Sequence, residues 1–110
     1  MIDVIIYKNE NNECVGFDAA GHAEFAEPGN DIVCAAVSVL TINTINAIEK
    51  FTKTVCSLYN DEESGTLSYR ISGRPSKEAA LLLETMILGL QDMADDEDYE
   101  DYIDLTFEEV

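Results

Sequence analysis

Hydrophobic and polar positions divide the chain into seven segments. "IDVIIYK" (residues 2–8) is short and rich in β-branched residues, and it reads as a strand. The polar "NENN" that follows is a turn, and "ECVGFDAAG" (13–21) is the second strand of a hairpin, with Gly21 and His22 at its end. "HAEFAEPGND" (22–31) mixes polarity around a Pro-Gly pair, the pattern of a loop. From Ile32 to Phe51 the periodicity is mixed. Val37, Leu40, Thr44, Ile48 and Phe51 share a helical face, while Val37, Val39, Thr41, Ile42, Thr44 and Ile45 would also suit strands. Length decides for a helix, because the run has no turn signal and is too long for one strand. Asp31, immediately before it, suits an N-cap.

"TVCSLYN" (54–60) and "GTLSYRIS" (65–72) flank the polar "DEES" and read as a second hairpin, with Gly65 at the turn. "SKEAALLLETMILGLQDMA" (76–94) is the most regular helix, capped by Ser76, with Ala79, Leu82, Leu83, Met86, Ile87, Leu90 and Met93 on one face. Leu81 and Leu88 widen that face, so this helix lies deep in a core or meets another subunit. In "YIDLTFEEV" (102–110), Ile103, Leu105 and Phe107 alternate with Asp104, Thr106 and Glu108, the mark of a half-buried final strand. The order ββαββαβ predicts one α+β domain over residues 1–110, with a mixed, largely antiparallel sheet and two helices packed on it.

Charge narrows the function. Among 110 residues there are 23 Asp and Glu against six Lys and Arg, a formal net charge of −17. Such a surface is unsuited to gripping a phosphate backbone, so no direct nucleic-acid binding is expected. It would attract a basic partner. Much of the acid lies in residues 91–110, but Tyr99, Tyr102, Ile103, Leu105 and Phe107 interrupt it, unlike a disordered acidic tail. No uninterrupted apolar run approaches the ~18 residues of a membrane span, and the N-terminus lacks the basic region and cleavage site of a signal peptide. A cytoplasmic location without a membrane partner is expected. Cys14, Cys34 and Cys56 are widely spaced and suit reduced thiols. With a single histidine and no CxxC pair, neither a metal site nor a cofactor is expected.

The chemistry concentrates in "GHAEFAEPGNDIVCAAVS" (21–38). If Asp31 caps the helix, Cys34 is its third residue, where unpaired N–H groups and the dipole favour a thiolate. The N–H groups of Cys34 and Ala35 would then stabilise an oxyanion, and His22 would serve as general base and acid. The plainer alternative is a buried core thiol and a turn histidine. Ser38, one helical turn after Cys34, either hydrogen-bonds within the site or back-bonds to its own helix. Asp31 is either a cap or the group that orients the imidazole. Cys14 and Cys56 read as structural. The loop 23–30 reads as a gate over bound peptide, with Pro28 and Gly29 as its hinge. A redox sensor built on Cys34 would need a resolving cysteine, and none is near in sequence.

"GHA" at the end of the second strand and "DIVCAAVSVL" opening the first helix resemble the bacterial ribosomal-processing cysteine proteases called Prp, formerly YsxB-like proteins. The resemblance extends to "MIDVIIYK", "LLLETMILGLQDMA" and a final strand beginning "YI". It implies a cysteine endopeptidase with His22 and Cys34 as its catalytic dyad. Asp31 and Ser38 fall on accompanying polar positions. It also implies a homodimer that removes the N-terminal extension of a large-subunit ribosomal protein, number twenty-seven. That substrate is a basic precursor, which fits the acidic chain. The rival reading is a non-catalytic, acidic, dimeric adaptor that binds a basic ribosomal protein.

Overall fold

The computed structural model describes residues 1–21 and 28–110, with backbone alone for 28–30. In chain order the elements are β1 (Ile2–Lys8), β2 (Cys14–Ala20), α1 (Pro28–Phe51), β3 (Cys56–Asp61), β4 (Thr66–Ile71), α2 (Lys77–Asp95), a single 3-10 turn (Glu100–Tyr102) and β5 (Ile103–Glu109). The strands form one sheet in the order β3-β4-β2-β1-β5. Three pairings are antiparallel; the fourth, β1 with β5, is parallel from Ile2↔Ile103 to Lys8↔Glu109. The predicted order and mixed sheet are those observed.

Alternation along the strands sends Ile2, Val4, Ile6, Phe17, Ala19, Leu67, Tyr69, Ile71 and Ile103 to one buried face. Both helices cover that face. α1 contributes Val33, Val37, Ile45 and Ile48, and α2 contributes Ala79, Leu83, Met86, Ile87 and Leu90. Gly89 brings the helices together, since a side chain there would meet Leu40 at 3.2 Å. The Ser76 hydroxyl caps α2 as expected, accepting from the Ala79 N–H at 3.1 Å.

The opposite face has no helix. At its centre Tyr7 Oη donates to Asp18 Oδ2 at 2.7 Å, and Arg70 Nη1 donates to Asp18 Oδ1 at 2.9 Å. The Arg70 guanidinium lies 4.1 Å from the centre of the Tyr7 ring. Gly16 makes room for this group: a Cβ there would stand 2.3 Å from the Tyr69 carbonyl and 2.9 Å from the Arg70 side chain.

Four expectations need correction. α1 begins at Pro28, so Pro28 and Gly29 form its first turn rather than a hinge; proline suits a first helical position because it has no N–H to leave unpaired. The rest of the expected gate, residues 23–27, lies outside the described residues. Phe51, placed on the helix's inner face, is exposed. Cys56 is exposed on β3, whereas Cys14 is buried with its thiol on the Gly16 carbonyl at 3.4 Å. Finally, α1 from Asp31 to Phe51 has the length and apolar content of a membrane span. Its inner side packs on the sheet and α2, and Asn43 and Asn46 occupy its outer side, so it is a core helix.

Candidate active site

β2 ends at Ala20, and Gly21 turns the chain with φ +97°. A Cβ on Gly21 would sit 2.3 Å from the Met1 carbonyl oxygen. This position therefore demands glycine twice, for its left-handed backbone and for its close approach to β1's first residues. It launches the chain into His22, which falls in the segment 22–27 outside the described residues. In the sequence Gly21 marks only a strand end; its place directly before the lone histidine is the signal of this constraint.

Cys34 is held on a rigid element. Buried Val33 and Val37 anchor this part of α1, and Cys34 itself is only 9% exposed. Counted from Pro28, Cys34 is the seventh residue of the helix, not the third, and Asp31 is the fourth, not the cap. Only the first four N–H groups of a helix lack an intrahelical partner. The N–H groups of Cys34 and Ala35 thus belong to the helical ladder, and an oxyanion hole made from them is withdrawn. Asp31 remains an acidic group in the first turn, where the dipole favours it.

The thiol's environment has three parts. Burial pushes the Cys34 thiol up, a hydrogen bond with the Ser38 side chain pulls it down, and the Asp31 charge pushes it up again. The balance lies above the ordinary cysteine range. A thiol so placed needs a base to ionise it at neutral pH. Ser38 therefore does reach the candidate nucleophile. It also lines a shallow groove of about 300 Å³ with Val39, Ile42, Asn43 and Asn46 on the outer side of α1. Among the described residues, no cluster of three or more His, Cys, Asp or Glu side chains is arranged to hold a metal ion.

The family model for cysteine protease Prp matches residues 1–104. The chain belongs to the Prp family. It is 33% identical over 107 residues to the ribosomal processing cysteine protease Prp of Staphylococcus aureus, covering 97% of this chain and 99% of the relative. It is 29% identical over 110 residues to the Prp of Bacillus subtilis, covering 96% of each. Prp from S. aureus, solved in complex with a substrate peptide, matches with a TM-score of 0.91 at 30% identity, over 98% of this chain and 100% of that one. A second S. aureus Prp structure carries a covalently linked product peptide and matches with a TM-score of 0.85 at 32% identity, over 98% and 100%. SMU.848 from Streptococcus mutans matches with a TM-score of 0.87 at 29% identity, over 100% and 99%. The protein is a cysteine protease of the ribosomal-processing type.

Proposed function

We propose that Cys34 is the nucleophile and His22 the general base of an endopeptidase that removes the N-terminal extension of ribosomal protein number twenty-seven. The observation that carries this reading is the setting of the three thiols. Cys14 is buried under the sheet and Cys56 lies on its exposed edge, whereas Cys34 sits on a packed helix with the Ser38 side chain bonded to it. His22 takes the thiol proton, and the thiolate attacks the scissile carbonyl carbon. The tetrahedral intermediate collapses to a thioester while His22 gives the proton to the leaving amine. Water, deprotonated by His22, then attacks the thioester and releases the acid and the Cys34 thiol. Asp31, relieved of capping, is the carboxylate assigned to orient the imidazolium, and Ser38 steadies the thiolate.

The precursor is basic, and a net charge of −17 draws it in without holding the enzyme on ribosomal RNA. The enzyme works in the cytoplasm as a homodimer and needs no cofactor. Incubation with the matching precursor should give one defined N-terminal cut. Cys34→Ala should end cleavage with the fold intact, and His22→Ala should slow it by ~10²–10⁴-fold. Cleavage by folded Cys34→Ala would overturn the nucleophile assignment. Binding of the precursor without any cut would favour the adaptor.

A further inference from the structure

Two helices, each about 10 Å across, span about 20 Å, while five strands at about 4.8 Å spacing need some 24 Å. The strand left over is β3, at one edge of the sheet. All its residues are exposed except half-exposed Asp61, and its first residue, Cys56, is the one exposed thiol of the chain. On the neighbouring strand Tyr69 is wholly buried, and its hydroxyl has no hydrogen-bond partner among the described residues. Cys56 pairs with Ile71, and Leu58 with Tyr69. Cys56 and Tyr69 are therefore diagonal neighbours on one face of the two strands, within reach of a long aromatic side chain. Burial pushes the Tyr69 hydroxyl up, and among side chains the Cys56 thiol acts on it most, ahead of Cys14 and Glu49. The hydroxyl stays protonated, a donor held beside the Cys56 sulfur. A buried O–H without an acceptor is costly. An oxygen carried on that sulfur would supply the acceptor.

A second feature adjoins the same thiol. A hollow of about 350 Å³ opens at Val55, the residue before Cys56, and is lined by Lys53, Thr54, Ser72, Arg74 and Ser76 as well. Two of the chain's six basic side chains thus meet in one place, against a net charge of −17. Lys53 pairs with no carboxylate among the described residues, and Arg74 engages Glu13 through Nε, at 3.0 Å. The hollow suits a small molecule that carries carboxylates.

We propose that Cys56 is a site of reversible S-thiolation, in which a hydroperoxide makes a sulfenic acid beside the Tyr69 hydroxyl and a small acidic thiol, seated by Lys53 and Arg74, caps it. In the first step the Cys56 thiolate attacks one peroxide oxygen. The S–O bond forms, the O–O bond breaks, and the second oxygen leaves as hydroxide or alkoxide and takes a proton. Sulfur loses two electrons and the peroxide gains them. In the second step the small thiolate attacks the Cys56 sulfur, an S–S bond forms, and the sulfenic oxygen leaves as hydroxide, which takes a proton to become water. The Tyr69 O–H donates to that oxygen most strongly as its negative charge develops. A second small thiol reverses the cap by exchange, leaving the Cys56 thiol and a small disulfide. No cysteine of the chain can intervene. Cys14 lies two strands away, about 9.6 Å, beyond the ~6.8 Å limit of a disulfide. Cys34 lies about 25 Å back along α1 from the turn before β3.

The test uses Cys34→Ala protein, which removes the candidate nucleophile's own thiol. Hydrogen peroxide in the presence of dimedone, a trap for sulfenic acids, should label the peptide carrying Cys56 and leave Cys14 unlabelled by mass spectrometry. For the second step, peroxide is removed with catalase and glutathione is added as the acidic thiol. Tyr69→Phe deletes only the unpartnered oxygen, so the variant should remain folded by circular dichroism. Its capping rate should fall by about 2- to 12-fold, the worth of one ordinary hydrogen bond. Lys53→Gln should slow capping by glutathione by up to about 5-fold and leave capping by uncharged 2-mercaptoethanol unchanged. Cys56 left unlabelled by peroxide and dimedone would overturn the proposal. So would a folded Tyr69→Phe protein capped at the parent rate, or a Lys53→Gln protein in which the two thiols change alike or not at all.

Discussion

Replacing Ser38 with alanine tests a side-chain bond that favours ionised Cys34. The hydroxyl stabilises the thiolate against burial and against the Asp31 charge, so its loss must raise the thiol pKa further. A net hydrogen bond of about 0.5–1.5 kcal/mol corresponds to about a 2- to 12-fold change in the ionisation equilibrium. Below both midpoints the alkylation rate follows the thiolate fraction, so it should fall by about 2- to 12-fold. Above both midpoints the two proteins should react alike. The assay is iodoacetamide alkylation across a pH series, with the Cys34 peptide resolved from Cys14 and Cys56 by mass spectrometry. An unmoved midpoint would refute the argument. A lowered plateau would mean that Ser38 shapes access to the thiol rather than its ionisation.

Asp31→Asn removes the charge that pushes the Cys34 thiol up, so alkylation at neutral pH should speed up while melting falls only slightly, by the loss of a favourable charge at the helix start; if the carboxylate also orients His22, cleavage should fall at the same time. Burial opposes the ionised form of Asp18, but hydrogen bonds from Arg70, Tyr7 and Ser68 outweigh it and hold the carboxyl below its usual range. Its stabilisation is thus present above the unfolded pKa of ~3.9 and lost as pH falls through the lower folded value. Asp18→Asn should lower the urea midpoint at pH 7, and the gap from the unmodified protein should close toward acid; a gap independent of pH would refute this. Gly16→Ala drives a methyl against the Tyr69 carbonyl and should cost about 1–3 kcal/mol, read as a lower melting temperature, with unchanged melting as the refuting result.

Most elements were readable because their signals are local. β-Branched content gave β1, alternation gave β5, and the face from Ala79 to Leu90, with Ser76 before it, gave α2. The start of α1 was misread because Pro-Gly-Asn serves equally as a turn and as a helix's opening, and only the packing of the following turns distinguishes them. That error moved Cys34 from the third to the seventh helical position and produced an oxyanion hole that the helix itself uses up. The exposure of Cys56 and Leu58 was hidden for a different reason. Their strand alternates like any other, and which strand lies beyond the helices depends on sheet order, a property of the whole chain. The candidate site was legible as residue types, Cys34 with Ser38 one turn on. The constraint on Gly21 was not, because the carbonyl it touches belongs to Met1, at the far end of the hairpin.

The parallel pairing of β1 with β5 joins residues 2–8 to residues 103–109. β1 lies second from one edge of the sheet, so without β5 it would itself be that edge, with a row of unmet hydrogen-bonding groups. This pairing spans nearly the whole sequence, the kind of contact that folds late. During synthesis at about 5–20 residues per second, the hairpins and the helix bearing Cys34 emerge before the strand that completes the sheet. Gly21 packs against Met1 and Ile2 at the start of that same strand, so the turn before His22 is built on the strand that β5 covers. Until residues 103–109 have emerged and docked, β1 stays an open edge of the kind that invites pairing with other chains.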